Sequence, residues 1–136
     1  MMYGAKEKKK ILVVDDDIIF LSTAELFLKD EYEIYKANSG EEALDYINNQ
    51  KLVPHLIMLD IVMSNMDGWT VYNKIRAIND LKKTPVVFLT SINEEEEKKR
   101  ALKIGASDYI TKPFNLTDLR SRIKKIILST AMTNKA

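Results

Sequence analysis

Aspartates recur in this sequence at the ends of short apolar runs. Asp15, Asp16 and Asp17 follow directly on Ile11-Leu12-Val13-Val14, and Asp60 follows Leu56-Ile57-Met58-Leu59. Thr90 ends Val86-Val87-Phe88-Leu89, and Lys112 comes just after Tyr109-Ile110-Thr111. Carboxylates brought together repel, so keeping them ionised requires a compensating cation. Lys112 can supply one positive charge and a divalent ion the rest. Carboxylates, water and a backbone carbonyl form a hard, all-oxygen environment that suits Mg²⁺, with Mn²⁺ as a substitute, far better than zinc or copper. Such a site promotes attack of a carboxylate on a phosphoryl group, because the ion, Lys112 and the Thr90 hydroxyl can all stabilise charge on the phosphoryl oxygens. The product would be an aspartyl phosphate at Asp60.

The elements that must gather these groups can be read from periodicity. Ile11–Val14 is a β-branched-rich run that suits a strand buried on both faces. Ile18–Lys29 has helical spacing, with Ile18, Leu21, Ala24 and Leu28 on one face. Tyr32–Ala37 reads as a second, weaker strand. Ser39 with Glu42 makes a capping box for a helix through Ile47 that turns Ala43, Leu44 and Ile47 inward. His55–Asp60 is the third strand. Asp67-Gly68 marks a turn before a helix over Trp69–Ile78. Thr84-Pro85 breaks the chain ahead of the fourth strand, Val86–Thr90. Asn93 is the expected cap of a helix over Glu94–Ile104, which Gly105 ends. A fifth strand spans about Asp108–Thr111, and a helix from about Leu116 to Leu128 offers Leu119, Ile123, Ile126 and Ile127 for burial. Strands alternating with helices over short connections imply right-handed crossovers. The expected fold is α/β: a doubly wound, five-stranded parallel sheet flanked by five helices, flavodoxin-like. In such folds the site lies outside the carboxyl ends of the strands, where strand order reverses. All the groups named above fall there.

Composition narrows the alternatives. A chain of 136 residues, 46% hydrophobic, builds one sizeable core and leaves little for a second domain. Its 21 Lys and Arg against 20 Asp and Glu create no global field that would favour nucleic acid. No cysteine is present, which excludes disulfides, a thiolate nucleophile and thiolate-bound zinc; the single His55 cannot build a histidine metal site and reads as structural. No apolar run is long enough to span a bilayer, and the basic start lacks the features of a signal peptide, so a cytoplasmic location is expected. Residues 1–8 are set aside as a leader or appended segment, disordered; residues 129–136 are expected to form a frayed tail or the start of a linker.

The pattern Ile11-Leu12-Val13-Val14-Asp15-Asp16-Asp17, Leu59-Asp60 with Met66-Asp67-Gly68, Leu89-Thr90-Ser91 and Lys112-Pro113-Phe114 resembles the receiver-domain signature of two-component response regulators, in the manner of the chemotaxis regulators. The resemblance covers residues 9–128. It implies a phosphorylation-controlled switch in which Asp60 accepts a phosphoryl group from a phosphohistidine donor, with Mg²⁺ held by Asp15, Asp16, Asp60 and the Val62 carbonyl. Asp16 would be a direct ligand and Asp15 would act mainly through bound water. Thr90 and Lys112 would engage the phosphoryl group, and Tyr109 would be the aromatic whose rotamer follows activation. Pro113 resembles the family's cis-peptide position. The domain would not be a conventional enzyme, since it catalyses only its own phosphorylation and dephosphorylation. Its implied partners are a sensor histidine kinase or phosphotransfer protein and an output domain in a longer chain, with the last two helices open to homodimerisation and no direct contact with nucleic acid or membrane.

The sequence departs from that pattern at Ser64 and Asn65, where the family often has Pro-Gly, and at His55, where an aspartate often follows proline. Loss of the proline ring at Ser64 is expected to loosen the loop after Asp60. Ile92 is expected to shield the site from water. Two other functions fit some of the residues. Asp15-Asp16-Asp17 also reads as the Asp-x-Asp of a haloacid-dehalogenase-type phosphatase, although only Asp118 follows Lys112 where an acidic pair would be needed. A phosphorylation-independent interaction module is the other, and it would need none of the reactive groups. Asp17 by itself reads as a turn former or helix cap.

Overall fold

Hydrogen-bond pairing gathers the five apolar runs into a single parallel sheet. The structure is a computed structural model that describes residues 7–135, with side chains as far as Ala131. In chain order it runs β1 (Lys9–Val14), α1 (Ile18–Leu28), β2 (Tyr32–Ala37), α2 (Gly40–Asn48), β3 (Leu56–Leu59), α3 (Gly68–Arg76), β4 (Val86–Thr90), α4 (Glu95–Lys103), β5 (Asp108–Thr111) and α5 (Leu116–Lys135). The strand order is β2-β1-β3-β4-β5, so the direction of winding reverses between β1 and β3. This is the expected doubly wound α/β fold, with the reversal beside the strands that end at Asp15 and Asp60.

Alternation within each apolar run explains why both faces are covered. Ile11 and Val13 on β1 pack with Leu21, Ala24 and Leu28 of α1 and Leu119, Ile123 and Ile127 of α5. Leu12 and Val14 face the other way, toward Ala43, Ile47, Val71 and Ile75 of α2 and α3. With side-chain period two, one strand feeds two cores, and only a continuous apolar run can do that.

Several local expectations change. Ile18 does not join the buried face of α1: it is 65% exposed and Ile19 is 79% exposed. The helix is apolar nearly all round, so spacing alone could not select the face that packs. Asp17 caps α1, its Oδ1 accepting from Ile19 N–H and Phe20 N–H. Ser39 caps α2 through Glu42 N–H, but Glu42 reaches back to Asn38 N–H, one residue before the position a capping box would use. Asn93 does not cap α4. The residue at that position is Glu94, with no side-chain cap, while Asn93 Oδ1 accepts from the Thr111 hydroxyl. No side chain caps the first N–H groups of this helix, and Glu95, Glu96 and Glu97 in its first turn complement its dipole instead. Its ion pairs, Lys98–Glu95 and Arg100–Glu97, form at i,i+3 spacing.

The last helix runs to Lys135, past the expected end at Leu128. Nothing in Ser129-Thr130-Ala131-Met132-Thr133-Asn134-Lys135 would stop it, since no Gly or Pro intervenes, and the Thr130 hydroxyl donates back to the Ile126 carbonyl. Of the leader, residues 1–6 lie outside the described residues. Lys8 Nζ donates to the Lys29 carbonyl.

His55 has the structural part expected of it, with a definite partner. Its N–H donates to the Lys10 carbonyl at 2.8 Å and its Nδ1 accepts from Lys10 N–H at 2.9 Å, so the side chain extends the β1–β3 pairing by one step. That bond needs a neutral ring. Partial burial, with Lys9 and Lys10 nearby, holds the imidazole pKa below its ordinary 6.5. The unfolded chain therefore takes up a proton at a higher pH than the folded one. The contribution of this bond is complete above the unfolded value of about 6.5 and declines as pH falls through it toward the folded value. His55→Gln should flatten that part of a plot of unfolding midpoint against pH; an unchanged slope would refute this role.

Candidate functional site

Asp15 and Asp60 are carried to the carboxyl edge of the sheet by backbone pairing. Asp60 N–H donates to the Val14 carbonyl at 3.0 Å, and Asp15 N–H donates to the Ala37 carbonyl at 3.1 Å, so each is held as a continuation of its strand. Both side chains are buried, whereas Asp16 is exposed at the rim. One carboxylate oxygen from each of Asp15, Asp16 and Asp60 lies within 4.8 Å of the other two. Lys112 comes in from the end of β5, its N–H donating to the Thr90 carbonyl at 2.8 Å and its peptide bond to Pro113 cis. Its Nζ sits 2.5 Å from Asp15 Oδ2 and 3.6 Å from Asp60 Oδ2.

The ammonium pairs with two of the three carboxylates, Asp15 and Asp60. Burial pushes the Asp15 carboxyl above the ordinary carboxylate range and the negative charge of Asp60 adds to this, while Lys112 and Asp17 N–H pull the other way. The set is negative, hard and all-oxygen, and it can accept a divalent cation such as Mg²⁺. Val62 places its N–H 3.3 Å from Asp60 Oδ1 and its side chain is exposed beside the site.

Thr90 is fully buried at the end of β4, its hydroxyl accepting from Ile92 N–H at 3.4 Å. Tyr109 is also buried, and its hydroxyl donates to the Ile92 carbonyl at 2.7 Å. Burial raises the phenol to about 12, with Glu97, Glu94 and Asp60 contributing, so it stays protonated and able to donate at physiological pH. Thr90 and Tyr109 thus meet at one residue of the loop after β4. Behind them, the Phe88 ring lies 6.4 Å from Tyr109 and 4.9 Å from Trp69, and the Arg100 guanidinium of α4 lies over the Trp69 ring, 4.0 Å from its centre.

Sequence reasoning missed three features of the loop after Asp60. Ser64 N–H donates to Asp16 Oδ2 at 3.2 Å, a bond that a proline there could not make, so the departure that removes a φ restraint adds a tether. Asn65 adopts φ +69°, the left-handed region that the family's glycine enters without strain. Asn tolerates this region better than other non-glycine residues. Asn65→Gly should leave stability within about 0.5 kcal/mol, while Asn65→Val should cost about 1–2 kcal/mol. Urea unfolding of the two variants checks this, and equal stabilities would contradict the assignment. Gly68 is the third feature. It does more than make a turn: its N–H donates to the Ile61 carbonyl at 2.8 Å, and a Cβ on it would lie 2.3 Å from the Asp60 carbonyl oxygen.

The comparisons with known proteins agree with this geometry. The family model described as the response regulator receiver domain matches residues 11–124. The regulatory protein VanR of Enterococcus faecium is 40% identical over 116 residues, covering 85% of this chain and 48% of that protein. A probable transcriptional regulator, ycf27, of Cyanophora paradoxa is 36% identical over 135 residues, covering 93% of this chain and 54% of that protein. The chain therefore spans about half the length of these curated relatives. Among solved structures, a CheY-like response regulator receiver domain protein from Methanospirillum hungatei superposes with a TM-score of 0.85 at 28% identity, covering 93% of this chain and 99% of that one. The sheet order, the acidic cluster at its reversal and these matches lead to one conclusion: the chain belongs to the response regulator receiver domain family of two-component signalling.

Proposed function

We propose that this domain is a switch that accepts a phosphoryl group on Asp60. The observation that carries the reading is the single ammonium of Lys112 placed between Asp15 and Asp60 in a cluster of three carboxylates. Asp15, Asp16, Asp60 and the Val62 carbonyl would hold Mg²⁺, which when bound supplies positive charge to the phosphoryl oxygens. Asp60 provides the nucleophilic oxygen: its bond to phosphorus forms as the bond from phosphorus to the donor breaks, and the donor leaves with the electron pair. Lys112 exchanges part of its contact with Asp15 for a phosphoryl oxygen. Thr90 donates its hydroxyl to another, giving up the Ile92 N–H, and Tyr109 follows because both are bound to Ile92.

The output surface is α4, β5 and α5. Among the residues of α4 only Ala101 is buried and its N-terminus has no side-chain cap, so few contacts oppose its movement. Phosphorylation then acts by shifting the population between two arrangements of this surface. The donor is a sensor histidine kinase or phosphotransfer protein, and the output is a further domain of a longer chain, with α4 and α5 available for pairing two copies. Asp17 argues against the phosphatase alternative, since its carboxylate is committed to capping α1.

Beryllofluoride with Mg²⁺ should change the emission of Trp69, whose indole packs on Phe88 and under Arg100. Asp60→Asn should abolish the change. A wild-type protein whose spectrum does not respond, or a partner bound equally well by wild type and Asp60→Ala under phosphorylating conditions, would favour a phosphorylation-independent module.

A further inference from the structure

The side chain of Phe20 touches the ammonium of the site. Lys112 Nζ lies 4.5 Å from the centre of the Phe20 ring. Phe114 packs against the same ring edge to face, with centroids 5.9 Å apart and planes at 83°. Phe20 is half-buried on the first turn of α1, and Phe114 follows Lys112-Pro113. The two rings and the lysine therefore form a clamp linking the start of α1 to the end of β5.

We infer that Phe20 is a positioning residue for phosphoryl transfer, presenting the negative face of its ring to hold the Lys112 ammonium over the site. The inference rests on the reading of Asp60 as phosphoacceptor. Its physical basis is competition for Asp15. Lys112 is closest to Asp15, the same carboxylate that a divalent cation would claim. An ammonium released from Asp15 would keep only its 3.6 Å contact with Asp60, a carboxylate the cation also claims, and would be free to swing into solvent on its flexible four-carbon stem. A ring face attracts a cation without competing as a metal ligand. It gives Lys112 a fixed pivot from which Nζ can turn from Asp15 toward the oxygens on Asp60.

Acetyl phosphate with Mg²⁺ supplies the test reaction, in which the bond from phosphorus to acetate breaks, the bond to Asp60 forms and acetate leaves. Phe20→Leu, which keeps an apolar side chain against Phe114, should lower the maximum rate on the order of 3–10-fold with little change in the concentration of acetyl phosphate at half-maximal rate. Phe20→Tyr should restore it. Trifluorophenylalanine at position 20 keeps the ring and its packing but strips negative charge from its face, and it should be as slow as Phe20→Leu. A second readout needs no turnover. In the metal-free wild-type protein, the ring current of Phe20 should shift the Lys112 ε-methylene protons upfield, and the shift should persist after addition of Mg²⁺ and beryllofluoride.

A trifluorophenylalanine variant as fast as wild type, or loss of the upfield shift on beryllofluoride addition, would overturn the role of Phe20 while leaving Asp60 as the acceptor. A wild-type protein that takes up no phosphoryl group would overturn both.

Discussion

Gly68→Ala is expected to destabilise the protein by about 3 kcal/mol and to disable Asp60 even in the molecules that remain folded. The new Cβ would lie 2.3 Å from the Asp60 carbonyl oxygen and 2.7 Å from Ile61 Cα. Both are backbone atoms, so no side-chain rotation relieves the clash. Either α3 withdraws from the sheet edge, losing the hydrogen bond from Gly68 N–H to the Ile61 carbonyl, or the chain at Asp60 is displaced. For a domain of this size, a loss of that magnitude lowers the melting temperature by roughly 10 °C. A variant that melts with wild type and phosphorylates normally would show that the close approach of α3 to Asp60 is dispensable.

Lys112→Ala should be costly in a way that depends on divalent cations. Removing the ammonium leaves the buried Asp15 carboxylate facing Asp60 without compensation. Breaking a buried ion pair from one side commonly costs about 3–5 kcal/mol. Here the lysine side chain is 22% exposed, so about 2 kcal/mol is expected. Mg²⁺ should recover much of that loss, and the Mg²⁺-induced rise in melting temperature should be larger in Lys112→Ala than in wild type, where the ion must first displace an ammonium. Phosphorylation by acetyl phosphate should nonetheless slow on the order of 10²-fold, because a donor to the transferring group is missing. If Mg²⁺ stabilises both proteins equally, Lys112 and the ion do not compete for Asp15.

The groups that meet at the site were legible because of where polar residues end apolar runs. In a parallel sheet buried on both faces, the first polar side chain after each run must emerge at the same edge, so Asp15, Asp60 and Thr90 converge whatever the details of the helices. What stayed illegible depends on contacts between distant segments. Nothing local tells Asn93, bonded to Thr111, from Asn115, whose Oδ1 caps α5 through Asp118 N–H. Both stand before acidic helix starts. Ile18 reads as a buried position because α1 is apolar on nearly every side, and α5 continues because no residue forbids it. Gly68 reads as a turn glycine in sequence, and only its close approach to the Asp60 carbonyl shows the second demand on it. The Phe20–Lys112 contact is invisible in sequence, because it joins the first helix to the last strand.

The central claim, that Asp60 is where a phosphoryl group enters, is tested most directly by mass measurement after incubation with acetyl phosphate and Mg²⁺. Wild-type protein should gain a single phosphoryl group that maps to Asp60, the gain should fail when the cation is chelated, and Asp60→Asn should show none. Equal incorporation into Asp60→Asn, or none into the wild type, would contradict the account.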